Sequence, residues 1–252
     1  MRCSSWLLMG LLVGGPALAA SVPIRFLVSD SWSMPLMQID NGQPTDGILY
    51  QIMLSLARQA GHPAEFRVLP RMRLQAAMES GQVDIRCYSG QSWGPNQSGD
   101  YIWSVPLITQ KDYLVGSAAH ALAVSPGELA PQKLGTVLGY TYSTLQPLFA
   151  SGRLIRDNAR NQIQVLTKLK AGRYDYAVSN QMAINWFNRT LPPGQQVHAL
   201  RLLEAQGLGC YVRNDPDVPV QRILRTLLRM KMSGEIDRII ERYSSVAAPN
   251  DR

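Results

Sequence analysis

The residues that could carry out chemistry in this chain of 252 residues form no recognisable catalytic or metal-binding motif. The three histidines, His62, His120 and His198, are far apart and match no metal-ligand spacing. The sequence also lacks the local context of a Ser-His-Asp triad, a nucleotide-binding loop or a zinc motif. We therefore expect no catalytic residue, no metal and no cofactor.

The N-terminus has the pattern of a secretory signal peptide. Arg2 precedes an apolar run over residues 6–15, and Pro16 separates that run from the small residues 17–20. The run is shorter than the about 20 residues that a membrane-spanning helix needs, which disfavours the alternative of an uncleaved anchor. We expect cleavage near Ala19 and export of the protein to the periplasm.

Export leaves two cysteines, Cys87 and Cys210, because Cys3 belongs to the signal peptide. Both lie in strand-like runs, and a cysteine pair in an oxidising compartment is a candidate disulfide. A bridge between them would close a long loop and contribute about 4 to 5 kcal/mol in the chain-entropy description. Two buried free thiols are the alternative that the sequence leaves open.

The composition excludes several classes of protein. The chain is 46% hydrophobic and 17% charged, which is not the composition of a disordered protein. Its formal net charge is +7, and loss of Arg2 with the signal peptide lowers this by one to +6. The basic residues are scattered and form no block of five or six, so we expect a solvated surface and no nucleic-acid partner.

Strand-like and helix-like runs alternate along the chain, and their order is repeated. The strand-like runs 24–29, 65–69 and 83–88 are separated by helix patterns. The segment 169–178 repeats the order of helix, glycine, aspartate and strand that is found in 78–85. Because such alternation is typical of parallel β-α-β units, the repeat predicts two α/β lobes facing a cleft, with one continuous sheet as the alternative.

The order of these motifs resembles the bacterial periplasmic solute-binding proteins of family 3, the amino-acid type. The match extends over nearly the whole mature chain and comprises the Pro35 loop, Gly47, and the segments 81–84, 103–106, 134–139, 172–175 and 233–243. The resemblance implies the two-lobed α/β fold of type II periplasmic-binding proteins, with two crossing strands between the lobes. Lobe 1 would comprise residues 20–116 and 204–252, and lobe 2 residues 117–203, behind a signal peptide at residues 1–19. A ligand would be enclosed by hinge closure.

Two charged groups that hold amino acids in this family are absent. The family's arginine before the 103–106 segment corresponds to the region of Gln97 and Ser98, and no arginine occurs anywhere from Cys87 to Gly152. The ammonium-binding aspartate corresponds to Asn180. Each lost charge-assisted bond would cost about 1.5 to 3 kcal/mol, or roughly tenfold to hundredfold in affinity. We therefore expect a small polar solute other than an ordinary α-amino acid.

The resemblance places polar and aromatic residues at the loop ends that would line the cleft. Open α/β sheets bind ligands beyond the carboxyl ends of their strands. The candidate ligand-binding residues are Asp30, Trp32, Arg71, Tyr88, Ser89, Gln91 and Trp93 in lobe 1, and Tyr140, Thr141, Tyr142, Ser143 and Asn180 in lobe 2. Only one of Arg71 and Arg73 is expected to face the cleft, and the aromatic residues among the candidates could pack in the core instead.

The resemblance implies a monomeric, non-enzymatic receptor that delivers its solute to an inner-membrane ABC permease. A sensory protein that presents its closed form to a membrane signalling protein would need the same hinge, so the sequence does not separate the two. An exported enzyme similar to the cyclohexadienyl dehydratases is a further alternative, with Asp30 and Arg71 as its candidate acid and cation. A basic adhesion or nucleic-acid module is the least favoured.

Overall fold

The computed structural model describes residues 21–93 and 100–244. The predicted signal peptide and the region of Gln97 and Ser98 lie outside these ranges. Within them, no helix is both long enough and apolar enough to span a membrane.

The first half of the chain contains three parallel strands and two helices. Its elements are β1 (Ile24–Ser29), the hairpin strands β2 (Gln38–Asp40) and β3 (Gln43–Asp46), α1 (Ile48–Ala60), β4 (Ala64–Leu69), α2 (Leu74–Glu79), β5 (Ile85–Ser89), β6 (Tyr101–Trp103) and β7 (Ile108–Gly116). Strand β1 pairs in parallel with both β4 and β5.

The second half repeats this arrangement and then returns to the first. Its elements are β8 (Gln132–Val137), α3 (Gln146–Ala150), β9 (Leu154–Ala159), α4 (Gln162–Lys170), β10 (Tyr176–Asn180), α5 (Gln181–Asn188), β11 (His198–Arg213), α6 (Val220–Met232) and α7 (Glu235–Ser244). Strand β8 pairs in parallel with both β9 and β10, as β1 does with β4 and β5. The repeat predicted from the sequence is therefore present in the strand order.

The long strand β11 connects the two halves. Its residues 198–208 run antiparallel to β7, and residues 209–213 run antiparallel to β5 and β6. The strands consequently follow one hydrogen-bonded order, β4-β1-β5-β11-β7-β10-β8-β9. Strands β7 and β11 are the two strands that pass between the lobes.

The buried side chains form separate cores in the two lobes, which makes the protein two-lobed despite the continuous strand order. In lobe 1, Phe26 and Leu27 pack on opposite faces of β1, each against its own group of helices and strands. In lobe 2, Val137 and Leu134 belong to two further clusters. The predicted two-lobed α/β architecture with two crossing strands is confirmed, while the exact lobe boundaries stay a prediction.

Helix α1 illustrates how the sequence pattern produces this core. Its apolar residues Ile48, Ile52, Leu56 and Ala60 recur every four positions, and all four are at most 1% exposed. Gly61 ends the helix in the left-handed conformation, with φ of 76°. The spacing of apolar residues therefore directs one face of α1 onto the sheet.

The structure contains the disulfide that the sequence predicts between Cys87 and Cys210. The two cysteines lie directly opposite each other on the antiparallel strands β5 and β11, with Cα atoms 3.9 Å apart. The disulfide therefore links strand β11 covalently to strand β5 of lobe 1.

Candidate functional site

A cavity between the two lobes brings together residues from both lobes and from the crossing strands. It contains about 560 Å³ of empty space, including its opening to solvent. Its lining residues are Ser29, Trp32, Arg71, Arg86, Tyr88 and Trp93 from lobe 1, Gln110, Asp112, Glu204 and Gln206 from the crossing strands, and Tyr140, Thr141 and Tyr142 from lobe 2. The lobe residues belong to strands or to the loops that follow them, as expected for an open α/β sheet.

Seven of the candidate residues line this cavity, namely Trp32, Arg71, Tyr88, Trp93, Tyr140, Thr141 and Tyr142. Of the two arginines considered for the cleft, Arg71 faces the cavity, whereas Arg73 is exposed and is not among the lining residues.

The other five candidates lie elsewhere. Asp30 lines a neighbouring surface groove that shares Arg71 with the cavity. Gln91 and Ser143 are exposed, and Ser89 is buried at the end of β5. Asn180 is also buried, and its side-chain oxygen accepts a hydrogen bond of 2.9 Å from the backbone N–H of Ala183, which caps α5.

Three aromatic side chains form one wall of the cavity. The ring of Tyr88 makes edge contacts with Trp32 and with Trp93, each with ring centroids 6.3 Å apart. Trp32 and Tyr88 also belong to the buried core of lobe 1, so the core-packing role and the cavity-lining role coincide.

Tyr88 has two further properties that are unusual for a packed tyrosine. Its backbone φ is +58°, in the left-handed region that residues other than glycine rarely occupy. Its buried hydroxyl has no hydrogen-bond partner among the described residues. Strained backbone and unpaired buried polar groups are found preferentially at functional sites, and both occur here at a residue that lines the cavity.

The side chain of Arg71 extends from lobe 1 and contacts lobe 2. Its Nε atom donates a hydrogen bond of 2.7 Å to the carbonyl oxygen of Gly139. Its guanidinium carbon lies 4.4 Å from the centre of the Tyr140 ring. Burial lowers the pKa of Arg71 from its ordinary value, although the guanidinium remains charged at neutral pH.

Arg86 supplies a second cation to the cavity. It extends from the middle of β5, and its Nη1 atom donates to the hydroxyl of Tyr211 at 3.2 Å. Its Nε atom is buried and has no partner among the described residues. Arg86 therefore keeps a donor available for an acceptor that is not part of the described chain.

The crossing strands contribute four polar side chains, which we call the hinge quartet: Gln110 and Asp112 on β7, and Glu204 and Gln206 on β11. Asp112 lies directly opposite Glu204, and Gln110 lies directly opposite Gln206. Residues opposite each other in an antiparallel pair point to the same face, which here faces the cavity.

The environment of the hinge quartet disfavours the charged form of Asp112. Burial is the main cause and the negative charge of Glu204 adds to it, while a 2.7 Å hydrogen bond from Gln110 opposes them; together they raise the pKa of Asp112 to about 6. Within residues 21–93 and 100–244, neither carboxylate forms a salt bridge. The floor of the cavity therefore carries two carboxylates without a salt-bridge partner in the described chain.

Six lining residues were not among the candidates: Ser29, Arg86 and the four members of the hinge quartet. A sequence signal for the quartet exists, because Gln110 and Asp112 are two positions apart in a strand-like run, as are Glu204 and Gln206. Polar residues at this spacing occupy one face of a strand.

In the part of the chain that the structure describes, no group of three or more His, Cys, Asp or Glu residues could hold a metal ion.

Comparison with known proteins supports the fold. No family model matches the chain. A probable histidine-binding protein of Neisseria gonorrhoeae is 22% identical over 224 residues, which is 86% of this chain and 81% of that protein.

Two solved structures share the architecture. One is an ancestral amino acid-binding protein, a precursor of cyclohexadienyl dehydratase, with a TM-score of 0.70 and 20% identity, covering 88% of this chain and 95% of its own. The other is a histidine kinase sensor domain with similarity to periplasmic binding proteins, with a TM-score of 0.70 and 19% identity over 89% of this chain and 96% of its own. The chain therefore has the two-lobed type II periplasmic-binding-protein fold, and the resemblance to the family 3 solute-binding proteins that its motifs indicate is confirmed.

Proposed function

We propose that the protein is a periplasmic solute-binding protein that captures a small polar solute between its lobes. The observation that carries this proposal is the cavity itself, which takes its lining from lobe 1, from lobe 2 and from both crossing strands. Such a cavity forms only when the lobes approach each other, so binding and closure are coupled. The signal-peptide pattern, the disulfide and the periplasmic relatives support the location.

The charges of the cavity support a solute other than an ordinary α-amino acid. The family's ammonium-binding position is Asn180, whose side-chain oxygen is engaged at the start of α5 and carries no charge. The ionic groups come instead from Arg71 and Arg86 in lobe 1 and from Asp112 and Glu204 on the crossing strands. None of these four residues occupies a position of the family's usual clamp, although Asp112 on β7 is the direct strand partner of Asn180 on β10.

The partner of the closed form is an inner-membrane ABC permease in this proposal, and the protein acts as a monomer. A membrane signalling protein is the alternative partner, and the similarity to a histidine kinase sensor domain favours keeping it. Both partners would recognise the relative position of the two lobes, which the solute controls.

An exported dehydratase is the second candidate function. Asp112, with a pKa of about 6, is a carboxyl group able to donate a proton near neutral pH, and Arg71 and Arg86 could hold a substrate carboxylate. Asp30, the acid considered from the sequence, lines the neighbouring groove and not the cavity. Turnover of prephenate by the purified protein would establish this function in place of the receptor.

Native mass spectrometry of the mature protein, purified from the periplasm without refolding, tests the proposed function. The expected result is a retained small polar solute that is released when the protein is unfolded. Isothermal titration of that solute into refolded protein should then give one site per chain. A retained ordinary α-amino acid would contradict the proposed ligand class, and the absence of binding to any small solute would contradict the receptor function.

A further inference from the structure

We propose that Asp112 and Glu204 on the crossing strands form a subsite for the cationic nitrogen of the solute, an ammonium or guanidinium group. This inference rests on the proposed function and assigns a chemical class to the ligand of the same cavity. It depends on three features of the hinge quartet and its surroundings. These are the strand register that pairs the two carboxylates, the lack of a salt-bridge partner for either carboxylate in the described chain, and the unpaired hydroxyl of Tyr88.

The register fixes the two carboxylates on one face. Asp112 and Glu204 are direct partners of the antiparallel β7–β11 pair, and both line the cavity. The Cβ atoms of such partners are typically about 4.5 to 5.5 Å apart, so a single cation can contact both side chains. Like charges in this position destabilise a sheet unless an opposite charge lies between them.

Arg71 and Arg86 line the same cavity, but neither forms a salt bridge with Asp112 or Glu204. Arg71 donates to Gly139 and lies over Tyr140, and Arg86 donates to Tyr211. No salt bridge of the described residues involves Asp112 or Glu204. A cationic solute would provide the missing charge.

Tyr88 gives independent support for a ligand at this place. Its side chain is 6% exposed and lines the same cavity, and its hydroxyl has no partner among the described residues. Tyr88 and Asp112 line the same cavity, and burial together with the charge of Asp112 raises the pKa of Tyr88. A tyrosine hydroxyl can accept a hydrogen bond from an ammonium or guanidinium group.

The aromatic wall suits the same ligand. Trp32 and Trp93 pack against Tyr88 and line the cavity with their ring systems. Aromatic faces attract cations, and the attraction is stronger where water is excluded. Carboxylates, a hydroxyl and aromatic rings together favour the binding of an organic cation.

Three pairs of probes, each a cation with a less charged molecule of similar shape, test the inference by isothermal titration at pH 7.5. The pairs are agmatine and N-carbamoylputrescine, whose side groups differ as guanidinium and urea; choline and 3,3-dimethylbutanol; and putrescine and 1,4-butanediol. Succinate serves as the anionic probe. At least one cation should bind more than a hundredfold more tightly than its less charged partner. Glu204→Gln and Asp112→Asn should each weaken that cation tenfold or more.

Matched control variants separate a local effect from a general change of charge. Asp217→Asn and Glu241→Gln remove one carboxylate each from exposed positions of lobe 1 and should leave the affinity for the cation unchanged. The inference is overturned if no cation binds, if a less charged partner binds equally well, or if the cavity variants bind like the native protein. Binding of only a neutral or anionic probe would overturn this inference and leave the proposed receptor function standing.

Discussion

The Nε atom of Arg71 donates a hydrogen bond to the carbonyl oxygen of Gly139, 2.7 Å away, and thereby joins lobe 1 to lobe 2. The same guanidinium lies over the ring of Tyr140 at 4.4 Å. Gly139 and Tyr140 follow strand β8, and Arg71 follows strand β4. The contact therefore links a loop of lobe 1 to a loop of lobe 2. The two lobes are thus held together beside the cavity by an interaction within the protein itself.

Replacement of Arg71 should shift the protein towards an open form. Arg71→Met keeps part of the apolar stem and removes the hydrogen bond and the contact between cation and ring, worth about 1 to 3 kcal/mol together. The ligand-free variant should have a larger radius of gyration in small-angle X-ray scattering than the native protein. Arg73→Met, at an exposed position of the same turn, is the control. Identical scattering of the native protein and Arg71→Met would show that the contact does not hold the lobes closed.

The carboxylate of Asp112 should make the ligand-free protein less stable as the pH rises. Its folded-state pKa is about 6 and the ordinary pKa of an aspartate is 3.8, so the folded state binds this proton more tightly than the unfolded state does. This contribution is favourable to folding below about pH 4 and is lost as the pH rises through 6, which amounts to about 3 kcal/mol. Glu204, Arg71, Arg86, Tyr88, Tyr140 and Tyr142 are the ionisable groups that share its cavity.

Chemical denaturation of Asp112→Asn and the native protein at several pH values measures this effect. The variant cannot ionise at this position, so its free energy of unfolding relative to the native protein should rise by about 2 kcal/mol between pH 4 and pH 7. Taking the difference removes the contributions of other carboxylates, such as Asp84, whose pKa is lowered by its hydrogen bonds to Arg25 and Arg213. A difference that is independent of pH would mean that Asp112 titrates normally.

The elements of the fold could be predicted from sequence because each depends on local pattern. The four-residue spacing from Ile48 to Ala60 defines α1, and the repeated order of helix, glycine and strand defines the two lobes. The loop ends could be predicted for the same reason. Trp32 and the residues from Tyr140 to Tyr142 directly follow strands, and the carboxyl ends of parallel strands share one edge of a sheet.

The floor of the cavity could not be predicted in this way. Asp112 and Glu204 come together only through the register of β7 and β11, two strands that are distant in sequence. Single-sequence patterns give the face of each residue on its own strand but not its partner across the pair. Asn180 is expected in the cleft, but local sequence explains its actual position. Asparagine is a preferred residue at the start of a helix, and α5 begins immediately after Asn180.

Removal of the disulfide should destabilise the protein without removing the cavity. Cys87 and Cys210 are separated by 123 positions, and a loop of this length corresponds to about 5 kcal/mol in the chain-entropy description. Because the two strands also pair through their backbones, we expect a loss of about 2 to 5 kcal/mol for the double replacement by alanine. Urea denaturation with and without reductant measures this loss. Equal stability of the oxidised and reduced protein would contradict the prediction.

Gly135 should be required for the packing of lobe 2. A Cβ atom at this position would lie 2.3 Å from the ring of Tyr174, whose hydroxyl is held by a 2.7 Å hydrogen bond to the carbonyl of Val165. Gly135→Ala should therefore lower the free energy of unfolding by about 1 to 3 kcal/mol or more through overpacking. Gly127→Ala is the matched control, because no atom lies within 4 Å of its added methyl group. Equal thermal stability of the two variants would contradict this account.

Tyr88 and Tyr142, two of the three tyrosines that line the cavity, should respond in opposite ways to removal of their hydroxyl groups. The buried hydroxyl of Tyr88 has no partner among the described residues, so Tyr88→Phe removes an unsatisfied polar group and should stabilise the ligand-free protein by about 1 kcal/mol. The hydroxyl of Tyr142 accepts a 2.9 Å hydrogen bond from the backbone N–H of Val137, so Tyr142→Phe should destabilise it by about 1 to 3 kcal/mol. Urea denaturation of both variants without ligand gives the two values.

The same pair of variants also separates stability from binding. If the hydroxyl of Tyr88 contacts the cationic nitrogen of the solute, Tyr88→Phe should bind the cationic probe several-fold more weakly although the protein is more stable. A structural defect would change stability and affinity in the same direction. A Tyr88→Phe variant that is both more stable and unchanged in affinity would remove this hydroxyl from the subsite, because an unpaired group that a ligand uses cannot be lost without cost to binding.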